Sequence, residues 1–313
     1  MSVQPFSLAD AMAYRLLAEQ SLEENLQRIL QEQLEAALYQ LTENFDQQPA
    51  SAIYTARKHL KKTRSLLQLV RRSLNRDTYR CEKNTLRDAG RSLAAARDGG
   101  AYRATLEDLL EVYKSTLNVK TFANLQQSLA ELQQLRLQQL TAHHAPIIAV
   151  VADLKQSQIR LSNLTFAATG WEALGENLHQ IYRRGRAQFK TVRKKGRDED
   201  FHEWRKRVKD LWYGTRLLKD LWFPVMNAYD SEAHGLSKLL GTDRDIAELR
   251  QFLHHPTTEI KLKKANTKVL TPLMGHRQYQ LQQQALALGQ KLYAEKPTAF
   301  SDRVGQYGHS WMT

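Results

Sequence analysis

Apolar residues recur along this chain three and four positions apart, and no segment alternates convincingly with period two. That spacing predicts helices, because it gathers apolar side chains on one face of a 3.6-residue turn. Residues 21–41 are the clearest case, with Leu22, Leu26, Ile29, Leu30, Leu34 and Leu38 in register. Residues 44–49 read as a loop. A long helix is expected over 52–74, a break at Arg76 and Asp77, and a helix over 78–96 that stops at Gly99 and Gly100. Residues 101–117 and 121–140 continue in helical period. Residues 143–164 are mixed, with an interruption at Pro146, and Gly170 marks a new start.

The second half of the chain repeats the order of the first. Glu24-Asn25-Leu26 before Ile29 parallels Glu176-Asn177-Leu178 before Ile181, at an offset of 152. Arg57-Lys58 and Lys61 parallel Arg205-Lys206 and Lys209 at 148, and Arg97-Asp98 parallels Arg244-Asp245 at 147. Each match is short, but their shared order and nearly constant offset point to a duplication. A period this long means two similar helical halves rather than a solenoid. The boundary is expected near residues 155–170, which divides the chain into 1–160 and 161–313.

Charge changes the picture more than any other property. The 313 residues carry 46 Lys+Arg against 33 Asp+Glu, a net of +13. Residues 57–91 hold 12 basic and 3 acidic side chains, and residues 183–209 hold 12 and 4. These two blocks therefore carry +17, and the rest of the chain sums to −4. Concentrated blocks of this kind point to a polyanionic partner. On a helical wheel at about 100° per residue, Lys61, Arg64, Gln68 and Arg71 lie within about 40° of Arg57. Ala56, Leu60, Leu67, Val70 and Leu74 form the adjacent apolar stripe. The second block gives the same map. Lys209, Trp212, Arg216 and His202 lie near Arg205, while Trp204, Val208, Leu211, Thr215, Leu218 and Trp222 form the core stripe. Cations set beside a buried face line a groove between helices more naturally than they face open water. Crowding them there costs self-repulsion unless an anion neutralises it. The planar guanidinium, which grips two oxygens at once, suits phosphate.

Composition excludes several classes. At 42% hydrophobic residues the chain is not disordered, and 14 Gly with 7 Pro argue against a turn-rich all-β fold. The single cysteine, Cys81, excludes a disulfide framework and fits a reducing compartment. Asp10, Arg15 and Glu19 in the first apolar stretch do not fit a secretory signal. The longest apolar run, at 146–151, is far short of the ~20 residues that span a bilayer. The expectation is a soluble, cytoplasmic, basic, all-α protein.

The segment Phe201-His202-Glu203-Trp204-Arg205-Lys206-Arg207-Val208-Lys209 resembles the H-x-x-R-K-x-x-K pattern of the CHAD (conserved histidine α-helical) domain. Its first-half counterpart runs from Ala52 to Arg64 and has Tyr54 where the family usually has histidine. Tyr182-Arg183-Arg184-Gly185-Arg186 is similar to the family's Y-x-x-G/A-R, and Leu240-Gly241-Thr242-Asp243-Arg244-Asp245 to its L-G-x-x-x-D. The resemblance covers nearly the whole chain, including the tail at 291–297. It implies two pseudo-symmetric four-helix bundles around a basic groove or central pore. It further implies non-catalytic binding of inorganic polyphosphate and association with polyphosphate granules. Carried over by position, the implied contacts are Arg57, Lys58, Lys61, Lys62, Arg64, Tyr182, Arg183, Arg186, His202, Arg205, Lys206, Lys209, Tyr213 and Arg216. Arg80, Arg87 and Arg91, spaced 7 and 4 apart, are expected to add to the first half. With Tyr54 in the histidine position, that half should bind with less pH dependence.

Other chemistry finds little support. His202-Glu203 begins like H-E-x-x-H, but Lys206 stands where the second histidine is needed. His143-His144 and His254-His255 are adjacent pairs whose members point about 100° apart. No phosphate-binding G-x-x-x-x-G-K-[ST] loop is present, Cys81 has no activating neighbour in sequence, and no cofactor or metal is expected. Asp198-Glu199-Asp200 is read as a helix start favourable to the dipole rather than a Mg²⁺ site. Asp98 and Asp245 are read as partners that orient arginines. The alternative function is nucleic-acid binding through the same stripes. A groove short of exposed stacking aromatics suits bare phosphate better than bases; Trp204 and Trp222 are assigned to the core, which leaves Trp212 and Tyr213 as the candidates for stacking.

Overall fold

The computed structural model describes residues 14–142, 144–168, 170–256, 258, 260 and 264–312, without the side chains of 95–99, 264 and 312. Among the described residues there are eleven α-helices and no strand. They are α1 (Leu22–Thr42), α2 (Pro49–Leu69), α3 (Arg76–Ser92), α4 (Ala95–Val112), α5 (Ala123–Ala142) and α6 (Ala145–Ser162). The rest are α7 (Glu172–Lys195), α8 (Asp198–Leu217), α9 (Phe223–His254), α10 (Lys264–Leu292) and α11 (Pro297–Met312). The order helix, helix, 3₁₀ turn, helix occurs twice. It runs through α1, α2, Arg71–Ser73 and α3, and again through α7, α8, Lys219–Trp222 and α9.

Local chemistry sets the ends. Ser21 and Glu24 form a reciprocal capping box that opens α1. The expected 52–74 helix ends early, at Leu69, and α3 begins at Arg76 because the Asn75 side chain accepts from the Asp77 and Thr78 amides. Pro146 starts α6 rather than interrupting a helix, since its ring is tolerated in a first turn. The Asp198-Glu199-Asp200 run forms the acidic first turn of α8. Gly99 and Gly100 lie within α4 and do not end a helix. Trp222 is 48% exposed, not core. α8 stops at Leu217, so the stripe drawn through Trp222 loses its phase in the 3₁₀ turn that follows.

α1 packs against α2 and α6, and α3 against the same two helices, which closes a four-helix ring. α7 packs on α8 and α11, and α9 on α8 and α10. α2 and α8 meet, and Leu60, Leu154, Leu178 and Trp204 belong to one continuous core. A second core joins α4 and α5 to α9 and α10 through Leu106, Phe122, Leu129, Leu249, Leu270 and Met274. Helices on either side of residue 160 thus contribute to both cores. No helix among the described residues is long and apolar enough to cross a membrane.

Candidate phosphate-binding groove

The meeting of α2 and α8 decides where the two basic stripes go. Each helix buries its apolar stripe in the shared core: Ala56, Leu60 and Leu67 on α2, and Trp204, Val208 and Leu211 on α8. The neighbouring cationic stripes are thereby carried to one seam. They line a cavity of about 270 Å³ formed by Arg57, Lys61, Arg64, Ser65, Gln68, Tyr79, Lys83, Arg205, Lys206, Lys209, Asp210 and Tyr213. A second cavity, of about 490 Å³, shares Gln68 and Tyr79 with the first and adds Arg71, Arg72, Arg76, Arg183 and Arg184. Twelve Lys/Arg side chains line the pair against one carboxylate, Asp210.

The electrostatics follow from that crowding. Burial lowers the pKa of Arg64, with Arg87 and Arg91 adding to the effect and Asp210 opposing it. Burial likewise lowers Lys83, and Arg71, Arg64 and Arg87 push the same way. The Tyr213 hydroxyl is pushed up to about 12, chiefly by burial. It therefore stays protonated and can donate to an oxyanion. Gln68 donates to Asp210 across the seam at 3.2 Å.

The sequence-derived residues divide into three groups. Arg57, Lys61, Arg64, Arg205, Lys206, Lys209, Tyr213 and Arg183 line the two cavities. A second group sits apart from them. Lys58 is exposed, with its Nζ 5.7 Å over the Tyr54 ring, and Lys62 is buried with its Nζ 5.7 Å over the Tyr14 ring. Arg80 is exposed, and Arg87 and Arg91 pair with Asp88. Arg216 is half-buried near Asp230, His234 and Tyr213.

The third group has work in the core. Tyr182 is fully buried, stacks on Phe300 and donates its hydroxyl to the Leu292 carbonyl at 3.2 Å. A Cβ on Gly185 would collide with the Tyr293 ring, and Arg186 donates to the Tyr293 carbonyl at 3.0 Å. The Y-x-x-G-R segment therefore clamps the connection between α10 and α11, and of its members only the two arginines at 183 and 184 reach the groove.

His202 lies on α8 beside Arg205 and Lys206, and Arg244 of α9 is another charged neighbour. Its buried Nδ1 has no hydrogen-bond partner, and burial followed by those three cations lowers its pKa. His202 itself lines neither cavity, and neither does Tyr54, its counterpart, which is 56% exposed.

Arg72, Arg76, Lys83, Arg184, Tyr79 and Asp210 escaped the sequence reading. The helical wheel loses Arg72, Arg76, Tyr79 and Lys83 because the chain leaves α2 at Val70 and α3 restarts at a new phase; Arg184 lies on α7, outside both wheels, and Asp210 is an acid on the basic helix α8. Charge density still signals Arg72, Arg76 and Lys83, inside the 57–91 block, and Arg184, inside the 183–209 block. The side chains of Arg97 and Asp98 lie outside the described residues. Among the described residues no group of three or more metal-ligating side chains forms.

Fold and groove together define an all-helical protein with a cation-lined seam between its helices. The CHAD domain family model matches residues 28–254, and the chain belongs to that family. Two solved structures share the fold. PptA from Streptomyces chartreusis aligns with a TM-score of 0.60 at 15% identity, covering 88% of this chain and 100% of its own. The CHAD domain from the plant Ricinus communis aligns with a TM-score of 0.56 at 15% identity, covering 99% and 98%. No curated protein sequence matches the chain.

Proposed function

We propose that this chain binds inorganic polyphosphate along the seam between α2, α3, α7 and α8, without a catalytic step, and that this binding directs it to polyphosphate granules in the cytoplasm. The observation that carries the reading is the lining itself: twelve cations from both halves of the chain meet at two adjoining cavities with one carboxylate. A linear anion with one charge per unit neutralises such a lining along its length. The aromatics there, Tyr79 and Tyr213, are buried and offer no ring face on which a base could stack.

Competition binding at physiological salt tests the reading. Long-chain polyphosphate is expected to hold its place against duplex DNA or RNA supplied at equal phosphate concentration. Displacement by either nucleic acid would replace this function with the nucleic-acid one. Release of orthophosphate by the pure protein with Mg²⁺ would make it an enzyme instead. Ligand should also raise the melting temperature, by about 2.7 kcal/mol of added stability at a hundred times Kd.

His202 supplies a pH dependence. Its pKa is depressed, so the folded protein favours the neutral ring; that stability is present above the ordinary histidine pKa and is lost as pH falls through the depressed value. A bound polyanion favours the charged ring, so affinity should tighten as pH falls through that range. His202→Asn should flatten the profile measured by fluorescence titration; an unchanged profile would remove His202 from the site.

A further inference from the structure

One residue in the groove has the wrong sign for the function proposed above. Asp210 lines the smaller cavity, and its Oδ2 accepts from Gln68 Nε2 at 3.2 Å and pairs with Arg207 at 3.3 Å. Gln68 also lines the larger cavity, so the carboxylate sits where the two join. The charged and titratable groups that feel it come from every helix around the seam. They are Arg64 of α2, Tyr79 and Lys83 of α3, Arg184 of α7, Arg207 of its own helix, and Tyr293 after α10.

Folding does not account for that charge. Burial raises the pKa of Asp210, while Arg207, Gln68, Arg64 and Arg184 pull the other way. A carboxyl whose pKa is raised on folding costs the native state stability once the pH exceeds its unfolded value. A neutral asparagine of the same shape would fill the position without that cost. What the charge does offer is partial neutralisation of a cation cluster that would otherwise stand open.

We infer that Asp210 is an internal counter-anion of the groove, which competes with a phosphate chain for Arg64, Lys83 and Arg184 and holds affinity below the maximum those cations allow. The inference rests on the polyphosphate reading and identifies the residue that sets its strength. A phosphate oxygen that approaches these cations also approaches the carboxylate, and the repulsion acts in a partly desolvated site where screening is weak. Unbound, the carboxylate pairs with Arg207 and lowers the positive potential around Arg64, Lys83 and Arg184. Bound, the ligand takes over that neutralisation.

The test is isothermal titration of sodium polyphosphate into the full chain and its Asp210→Asn variant over a series of salt concentrations. The variant is expected to bind roughly tenfold more tightly. The slope of log K against log salt should steepen by about 0.7, the value for neutralising one further phosphate along a single-stranded polyanion. A merely structural role would not steepen that slope. Asp210→Ser, which removes the same charge with a smaller side chain, should change in the same direction. Equal or weaker binding at unchanged slope, in whichever variants keep the wild-type melting temperature, would overturn the inference and leave the polyphosphate reading standing. Failure of the wild-type chain to bind polyphosphate would instead overturn the reading on which the inference rests.

Discussion

Reversing the charge of Arg205 and Lys209 together, as Arg205→Glu with Lys209→Glu, should weaken polyphosphate binding at least about a hundredfold while leaving the helical fold intact. Both residues line the smaller cavity, opposite Arg57, Lys61 and Arg64 of α2. Each charge-assisted hydrogen bond is worth about 1.5–3 kcal/mol, so removing two costs about 3–6 kcal/mol before the new repulsion is counted. The salt dependence should become shallower by about 0.7 for each phosphate that the protein no longer neutralises. Lys58→Glu is the matched control. It lies on the same helix turn as Arg57, but it is exposed and lines neither cavity, so its effect should be several-fold at most. Binding of the double variant equal to wild type, measured by titration at physiological salt, would reduce the stripe to a solvated helix face.

That experiment depends on features of unequal legibility in the sequence. The all-α class could be read from apolar spacing alone, and α1 was read to within a residue at each end because Ser21 and the leucine register both mark it. The two stripes were legible for a simple reason: on α2 and α8 the cations sit one step of phase away from residues such as Leu60 and Val208 that have to be buried. What the wheel could not supply was the meeting of the two helices. Each map ends at its own helix, whereas the groove exists because the apolar faces of α2 and α8 enter one core and bring both stripes to the same seam.

The same limit explains the residues placed elsewhere. Tyr182 and Arg186 look like ligands in a basic run, yet the turn at Tyr293 claims both. Lys62 and Arg64 are two residues apart, which is enough to send one toward Tyr14 and the other into the groove. Asp210 is invisible as a functional residue until the cations around it are located, because in sequence it is one acid among many.

Trp204 tests how far the groove depends on the core beneath it. Its side chain has no exposed surface, and its ring centroid lies 5.2 Å from that of Phe189 and 6.4 Å from those of Phe201 and Tyr293. α10 approaches it so closely that a Cβ on Gly289 would stand 2.6 Å from the indole. Trp204→Ala would leave a cavity that these rings cannot close, at a cost of about 3–5 kcal/mol. At about 2–4 °C per kcal/mol for a domain of this order of size, the melting temperature should fall by about 6–20 °C in differential scanning calorimetry. The neighbouring Arg205 shares its backbone, so loosened packing of α8 should weaken binding as well, but by a different route from charge reversal. Ligand at a hundred times Kd still adds about 2.7 kcal/mol to any variant that retains the site. Trp204→Ala should therefore melt early and still shift upward with polyphosphate, whereas the Arg205 and Lys209 double variant should melt near wild type and fail to shift. If Trp204→Ala instead melted normally, or the double variant melted as early as it does, core and groove would not be separable in the way their positions on α8 imply.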